Sequence, residues 1–203
     1  MYTRSRNALG IIVVMLFIAS FTSRAFAQKP KVGVTPSTAT VQLGEEITVN
    51  ITVTDMTAPG LWSYGLKLHY NNTLLNATDS EIPPDHMLKP SLDPTYIFIV
   101  QPGIINQTEG IVSFAVTLFA DEPGKTGSGT LGTVTFKGLA MGSANLELIE
   151  VELVDPVPNL IDPALYTVGS GTIQVIPEFA LAVLIAAFML MSAAVVVLKK
   201  RLR

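Results

Sequence analysis

Between residues 46 and 54 apolar and polar side chains alternate without a break. Ile47, Val49, Ile51 and Val53 fall on one side, and Thr48, Asn50, Thr52 and Thr54 on the other. A period of two carried by β-branched residues predicts a strand with one buried face. Leu66, Leu68 and Tyr70 repeat the pattern against Lys67 and His69, and Val112, Phe114, Val116 and Leu118 do so within residues 111–119. Further strands are predicted at 31–35, 74–78, 95–100, 129–137, 144–154 and 169–175. In 144–154 the inward phase slips between Leu148 and Ile149, which predicts a β-bulge there. Residues 81–94 carry Pro83, Pro84, Pro90 and Pro94 and read as a long loop. No stretch between residues 28 and 176 holds an apolar helical period for three turns. The expected fold is therefore all-β, a two-sheet β-sandwich or jelly roll of about nine strands.

The ends of the chain follow other patterns. Arg4 and Arg6 precede an apolar run over residues 8–21, and Ala25-Phe26-Ala27 stands ahead of Gln28. This order of basic, apolar and small residues predicts a signal peptide over 1–27, cut before Gln28. An uncleaved N-terminal anchor is the alternative, although a spanning helix needs about 20 apolar residues. At the other end residues 180–198 carry no charge and are followed by Lys199-Lys200-Arg201-Leu202-Arg203. As a helix those residues extend about 28 Å, close to the thickness of a bilayer's hydrocarbon core. The basic tail belongs on the cytoplasmic side, so the rest of the chain is expected outside the cell, at its surface. Ile176-Pro177-Glu178-Phe179 before such a helix resembles the PEF-CTERM sorting signal of archaeal surface proteins. That resemblance implies processing by an archaeosortase, against the alternative of an ordinary tail anchor.

Removing the ends changes the charge. Seven of the 13 basic residues lie in the end segments, whereas 15 of the 16 acidic residues lie in 28–176, leaving six basic against 15 acidic, a net −9. Such a balance repels phosphate backbones and excludes a nucleic-acid partner. With no cysteine in the chain, neither disulfides nor thiolate metal sites are available.

The order of β elements has a precedent. A short strand at 32–35, the turn Gly44-Glu45 and the strand 47–53 are followed by Gly65-Leu66-Lys67-Leu68-His69-Tyr70-Asn71 and Leu74-Leu75. Then come Gly110 to Phe114, the Gly-rich turn 124–129, Leu131 to Phe136, Gly142-Ser143 and the closing Gly171-Thr172-Ile173-Gln174-Val175. This succession resembles the cohesin domains, although cohesins commonly have Tyr-Asp where this chain has Tyr70-Asn71. The resemblance implies a non-catalytic recognition module whose partner is a dockerin-type protein that brings its own calcium. On the matching strands, the outward residues Lys67, His69, Ser113 and Thr117 are the implied partner contacts. Sandwiches of the same architecture also bind polysaccharide, so a carbohydrate-binding, adhesive or structural module of the cell envelope is the alternative.

Candidate chemistry is sparse. His69 and His86 have no neighbouring residues that complete a catalytic set, and no phosphate loop or H-x-x-x-H spacing occurs; the chain is not expected to be an enzyme or to carry a cofactor. Glu45-Glu46, Asp121-Glu122, Glu147 with Glu150 and Glu152, and Asp155 with Asp162 are the carboxylate groups that structural calcium could use. None has the density of a calcium loop, and the plainer reading is a solvated acidic rim. Asn50, Asn71, Asn76 and Asn106 each begin an N-x-T sequon and are glycan acceptors where exposed. Trp62, Tyr64 and Tyr96 are the aromatics available for stacking on a sugar, although the alternation places Trp62 on the core side with Leu66 and Leu68.

Overall fold

The computed structural model describes residues 28–178 apart from Leu92 and Ala120. The signal peptide, Phe179, residues 180–198 and the basic tail lie outside the described residues. Eleven strands form two sheets face to face. The five-stranded sheet has the order β10-β1-β3-β8-β5, with β10 Thr167–Val168, β1 Lys31–Thr35, β3 Glu46–Leu61, β8 Lys125–Gly138 and β5 Leu75–Glu81. The six-stranded sheet has the order β2-β11-β9-β4-β7-β6, with β2 Thr38–Gln42, β11 Gly171–Ile176, β9 Gly142–Val154, β4 Ser63–Tyr70, β7 Ile111–Leu118 and β6 Ile97–Asn106. β10 and β2 join their neighbours β1 and β11 in parallel; all other pairs are antiparallel.

The expected alternation is realised where one face meets the core. In β7 every second residue from Val112 to Leu118 is buried, and in β4 so are Tyr64, Leu66, Leu68 and Tyr70. Phe114, Phe136, Ile51, Leu61, Leu75 and Leu131 fill the space between the sheets. Tyr70 meets Phe136 edge-on, with ring centroids 5.0 Å apart, a preferred aromatic geometry. Burying one such Leu or Phe contributes about 1.5–3 kcal/mol. Gly132 is required by this packing, because a Cβ there would stand 2.6 Å from Phe114 Cε1.

Four sequence expectations are corrected. There are eleven strands rather than nine. β2 buries only Val41 and β10 has two exposed residues, so neither shows a hydrophobic period. β6 starts at Ile97 and continues through Pro102-Gly103 to Asn106, with irregularities after Ile99 and Pro102; an edge strand tolerates a proline, whose missing N–H faces outward. β3 runs on to Leu61 through register shifts after Val53 and Met56. In β9 the phase reverses at Glu150, which has φ 50°, rather than between Leu148 and Ile149. Ile149 faces outward beside Lys67, and Val151 and Leu153 return to the core.

The chain enters and leaves the sandwich at opposite ends. The chain enters at Gln28–Pro30 beside the 155–166 segment, where Lys29 Nζ donates to the Ala164 carbonyl at 2.8 Å. It leaves at the opposite end, where the Leu43 N–H donates to the Ile176 carbonyl at 2.9 Å.

Candidate partner-binding face

The outer face of β9, β4, β7 and β6 is a continuous four-strand surface whose rows are fixed by register. Lys67 stands between Ile149 and Ser113, with Ile104 beyond Ser113. Gly65 stands between Glu152 and Ala115, with Gln101 beyond. Ser63 stands between Val154 and Thr117, with Phe98 beyond, and His69 lies between Glu147 and Ile111. Small and polar side chains thus occupy the middle. The four implied contact residues, Lys67, His69, Ser113 and Thr117, all lie on this face.

Its two margins differ in chemistry. On the β9 side Glu147, Glu150 and Glu152 are exposed. Lys67 Nζ reaches Glu150 Oε2 in an ion pair whose side chains remain 38% and 62% exposed, so it contributes at most about 1 kcal/mol and is free to exchange partners. On the β6 side Phe98, Val100 and Ile104 are each more than half exposed. Phe119, which follows β7, sets its ring 5.7 Å from that of Phe98. Sequence reasoning missed this apolar margin. The signal was present in Ile97-Phe98-Ile99-Val100, since four consecutive apolar residues cannot all face the core in a strand of period two.

A second cluster fixes the proline-rich loop. Glu122 is buried, and its Oε2 accepts from the Ser91 N–H at 2.9 Å and from Lys125 Nζ at 3.2 Å. Lys125 Nζ also donates to Ser91 Oγ. The loop is further held by the Met87 N–H donating to the Thr130 carbonyl at 2.7 Å, with Leu88 fully buried. His86 is 7% exposed, and its Nδ1 is buried without a hydrogen-bond partner. Burial pushes its pKa below 6.5; the nearby Asp85 carboxylate opposes this and Lys89 adds to it.

A family model described as the cohesin domain matches residues 32–174. The chain belongs to the cohesin domain family. Solved cohesins share the fold at low identity. A non-cellulosomal cohesin from the hyperthermophilic archaeon Archaeoglobus fulgidus is 19% identical, with 73% of this chain and 92% of that one covered and a TM-score of 0.54. The second type II cohesin module of the adaptor scaffoldin ScaA from Acetivibrio cellulolyticus gives 20%, 75%, 92% and 0.56. The sixth cohesin of scaffoldin B from the same organism, solved in complex with the Cel5 dockerin, gives 13%, 73%, 100% and 0.57. No curated protein matches the chain.

The other site residues of this cohesin fall as follows. Tyr64 is not available to stack on a sugar. It shares the core phase of Leu66 and Leu68, is 1% exposed, and its hydroxyl donates to the Leu131 carbonyl. Burial raises its pKa well above the ordinary tyrosine value. Trp62 is half-buried against the core, and Tyr96 is half-buried where its carbonyl accepts from the Phe119 N–H. The three therefore form no exposed row.

Among the sequons, Asn71 and Asn106 are exposed, and Asn50 and Asn76 are half-buried within β3 and β5. Asn71 Oδ1 accepts from both the N–H and the hydroxyl of Thr73, and Asn106 exchanges hydrogen bonds with Glu109. Asp155 and Asp162 spend carboxylate oxygens on backbone amides of their own turns. Among the described residues, no three His, Asp or Glu side chains stand where they could hold a metal ion. None of the described helices is long and apolar enough to cross a membrane. Pro177 and Glu178 are exposed just past β11.

Proposed function

We propose that this cohesin is a non-catalytic recognition module that binds a dockerin-type protein through the outer face of β9, β4, β7 and β6. The observation that carries the reading is the exposed apolar margin of Phe98, with Phe119 against it, and Ile104 along the β6 side of that sheet face. Isolated exposed apolar residues are ordinary, but a contiguous set beside a polar field suits a protein interface. Support also comes from the solved relative that carries a dockerin. The polysaccharide reading loses its expected stacking residue with the burial of Tyr64 and would have to rest on the exposed Phe98–Phe119 pair.

The test is a pull-down from the secreted proteins of the source organism with the wild-type chain and with Ile104→Asp. Wild type is expected to capture a protein with duplicated D-x-[DN]-x-D loops in a calcium-dependent manner. Ile104→Asp is expected to lower that affinity about 30-fold, the equivalent of ~2 kcal/mol for an apolar contact replaced by a charge. Ile104 is exposed, so stability should change by no more than about 0.5 kcal/mol. Capture of polysaccharide instead, insensitive to Ile104→Asp, would overturn the reading.

The module is displayed outside the cell: residues 1–27 direct export, and residues 180–198 hold it in the membrane with the basic tail inside. The motif Pro177-Glu178-Phe179 marks the tail for an archaeosortase, and Asn71 and Asn106 are the best-exposed glycan acceptors. The intact mass of the protein recovered from its source reports all of these together. A mature chain that starts at Met1 would replace the cleaved signal peptide by an uncleaved N-terminal anchor, and one that retains 180–203 would remove the sorting step and leave a permanent anchor.

A further inference from the structure

The end of the sandwich from which the chain departs carries an apolar corner that the partner face does not use. Leu43, in the turn after β2, is 38% exposed, and Leu139 and Met141, in the turn between β8 and β9, are 49% and 62% exposed. Hydrogen bonds hold these turns side by side: the Gly44 N–H donates to the Gly138 carbonyl at 2.9 Å, and the Leu139 N–H to the Leu74 carbonyl at 2.8 Å. Leu43 is bonded to Ile176 itself, and Val175 pairs with Gly142. The corner is therefore level with the last strand residue.

Beyond Ile176 only Pro177, Glu178 and Phe179 precede the apolar stretch that begins at Ala180. Four Cα-to-Cα steps at full extension reach about 14 Å, and the headgroup layer on each side of a bilayer is roughly 5–7 Å deep. If residues 180–198 cross the membrane, as proposed above, Leu43, Leu139 and Met141 cannot stand far from its surface. We propose that this corner docks into the interfacial layer of the bilayer that holds residues 180–198, so that the domain rests on the membrane in a fixed orientation. The inference depends on the membrane-spanning reading of that segment.

The surrounding charges limit the depth. Glu45, Glu46 and Glu178 are exposed at this corner, and Lys137 opposes Glu46 in register. These groups stay hydrated in the headgroup region, which keeps the contact interfacial. Farther along the same end the turns are polar. Asn72 Nδ2 donates to the carbonyls of Gln107 and Thr108 at 3.0 and 2.9 Å, tying the 71–74 and 107–110 turns together. β11 lies near one edge of its sheet and β6 forms the other, so the apolar margin of the partner face stands across the width of the sheet from the docked corner.

The cysteine-free chain allows a direct test. The full chain, carrying Leu139→Cys or Met141→Cys labelled with an environment-sensitive fluorophore, is reconstituted into vesicles of phosphatidylcholine and phosphatidylglycerol. Val157→Cys, about 40 Å away beyond the other end of the 13-residue β9, is the reference. Co-flotation with the vesicles that is lost on removal of residues 180–203 reports membrane insertion of residues 180–198 rather than of the apolar run at 8–21. The expected result is co-flotation, with a blue shift and quenching by nitroxide-bearing lipids at positions 139 and 141 but not at 157. Co-flotation with all three probes alike in water would overturn the docking while leaving the anchor intact. Failure to co-float would overturn both.

Discussion

At the residue scale, two buried polar side chains outside the partner face each govern a separate part of the stability. Glu122 is a buried carboxylate that holds Lys125 and the Ser91 amide together. Glu122→Ala removes the buried acceptor of Lys125, whose side chain is 14% exposed, and is expected to cost about 2 kcal/mol. Glu122→Gln, which keeps an acceptor oxygen, should cost about 1 kcal/mol; urea unfolding of the two variants checks the order. His86 makes stability depend on pH. The folded protein holds its imidazole below 6.5 by burial, whereas the unfolded chain takes up a proton near 6.5. Stability is therefore full above that pH and falls as pH drops through it, by up to about 1.4 kcal/mol per pH unit. His86→Leu should flatten this dependence between pH 7 and 5 in urea melts. Neither role was legible in the sequence: Glu122 reads as one of a pair of rim acids, and His86 as a polar residue in a proline-rich loop. Their burial is decided by how that loop folds back onto β8, which no local period encodes.

At the element scale, legibility followed the solvent. β3, β4 and β7 each have one wet and one dry face over most of their length, so their side chains alternate and the sequence shows them directly. β2, β10 and the far half of β6 sit at edges, where burial is partial and a two-residue period has nothing to sort. The β9 bulge was legible as a phase slip, but not its position. A positive φ at Glu150 lets Ile149 face out, a backbone choice that leaves no mark in hydrophobicity. The partner face shared this fate. Its central residues followed from strand phase and Phe98 and Val100 were marked by the run of four apolar residues, whereas Ile104 depended on β6 continuing past Pro102-Gly103. Packing between the elements can be tested at Gly132, where a methyl group would strike the Phe114 ring. Gly132→Ala is expected to cost about 2 kcal/mol through overpacking, seen as a lower denaturation midpoint with an unchanged slope. Gly44→Ala makes no such contact, and any loss there would come from its φ of 84°.

At the scale of the whole molecule, the domain is held by its apolar core against its own charge. Residues 28–176 carry 15 acidic and six basic side chains. Among the described residues two ion pairs form, Lys67–Glu150 and Lys125–Glu122, and the first is exposed. Added salt acts on both sides of this balance. It weakens the exposed pair, worth at most about 1 kcal/mol, and it screens the mutual repulsion of the remaining carboxylates. At an ionic strength of roughly 0.01 M the screening length is about 30 Å, comparable to the domain itself, and at 0.1 M it is about 10 Å. Repulsion among many like charges at 10–30 Å is therefore removed by salt, while the buried pair is largely untouched. The melting temperature is expected to rise as sodium chloride increases from roughly 0.01 to 0.5 M. Lys67→Gln should leave that rise in place, because the exposed pair opposes it rather than causes it. A melting temperature that falls with salt would mean that local ion pairing, rather than the net charge, sets the electrostatic balance of the fold.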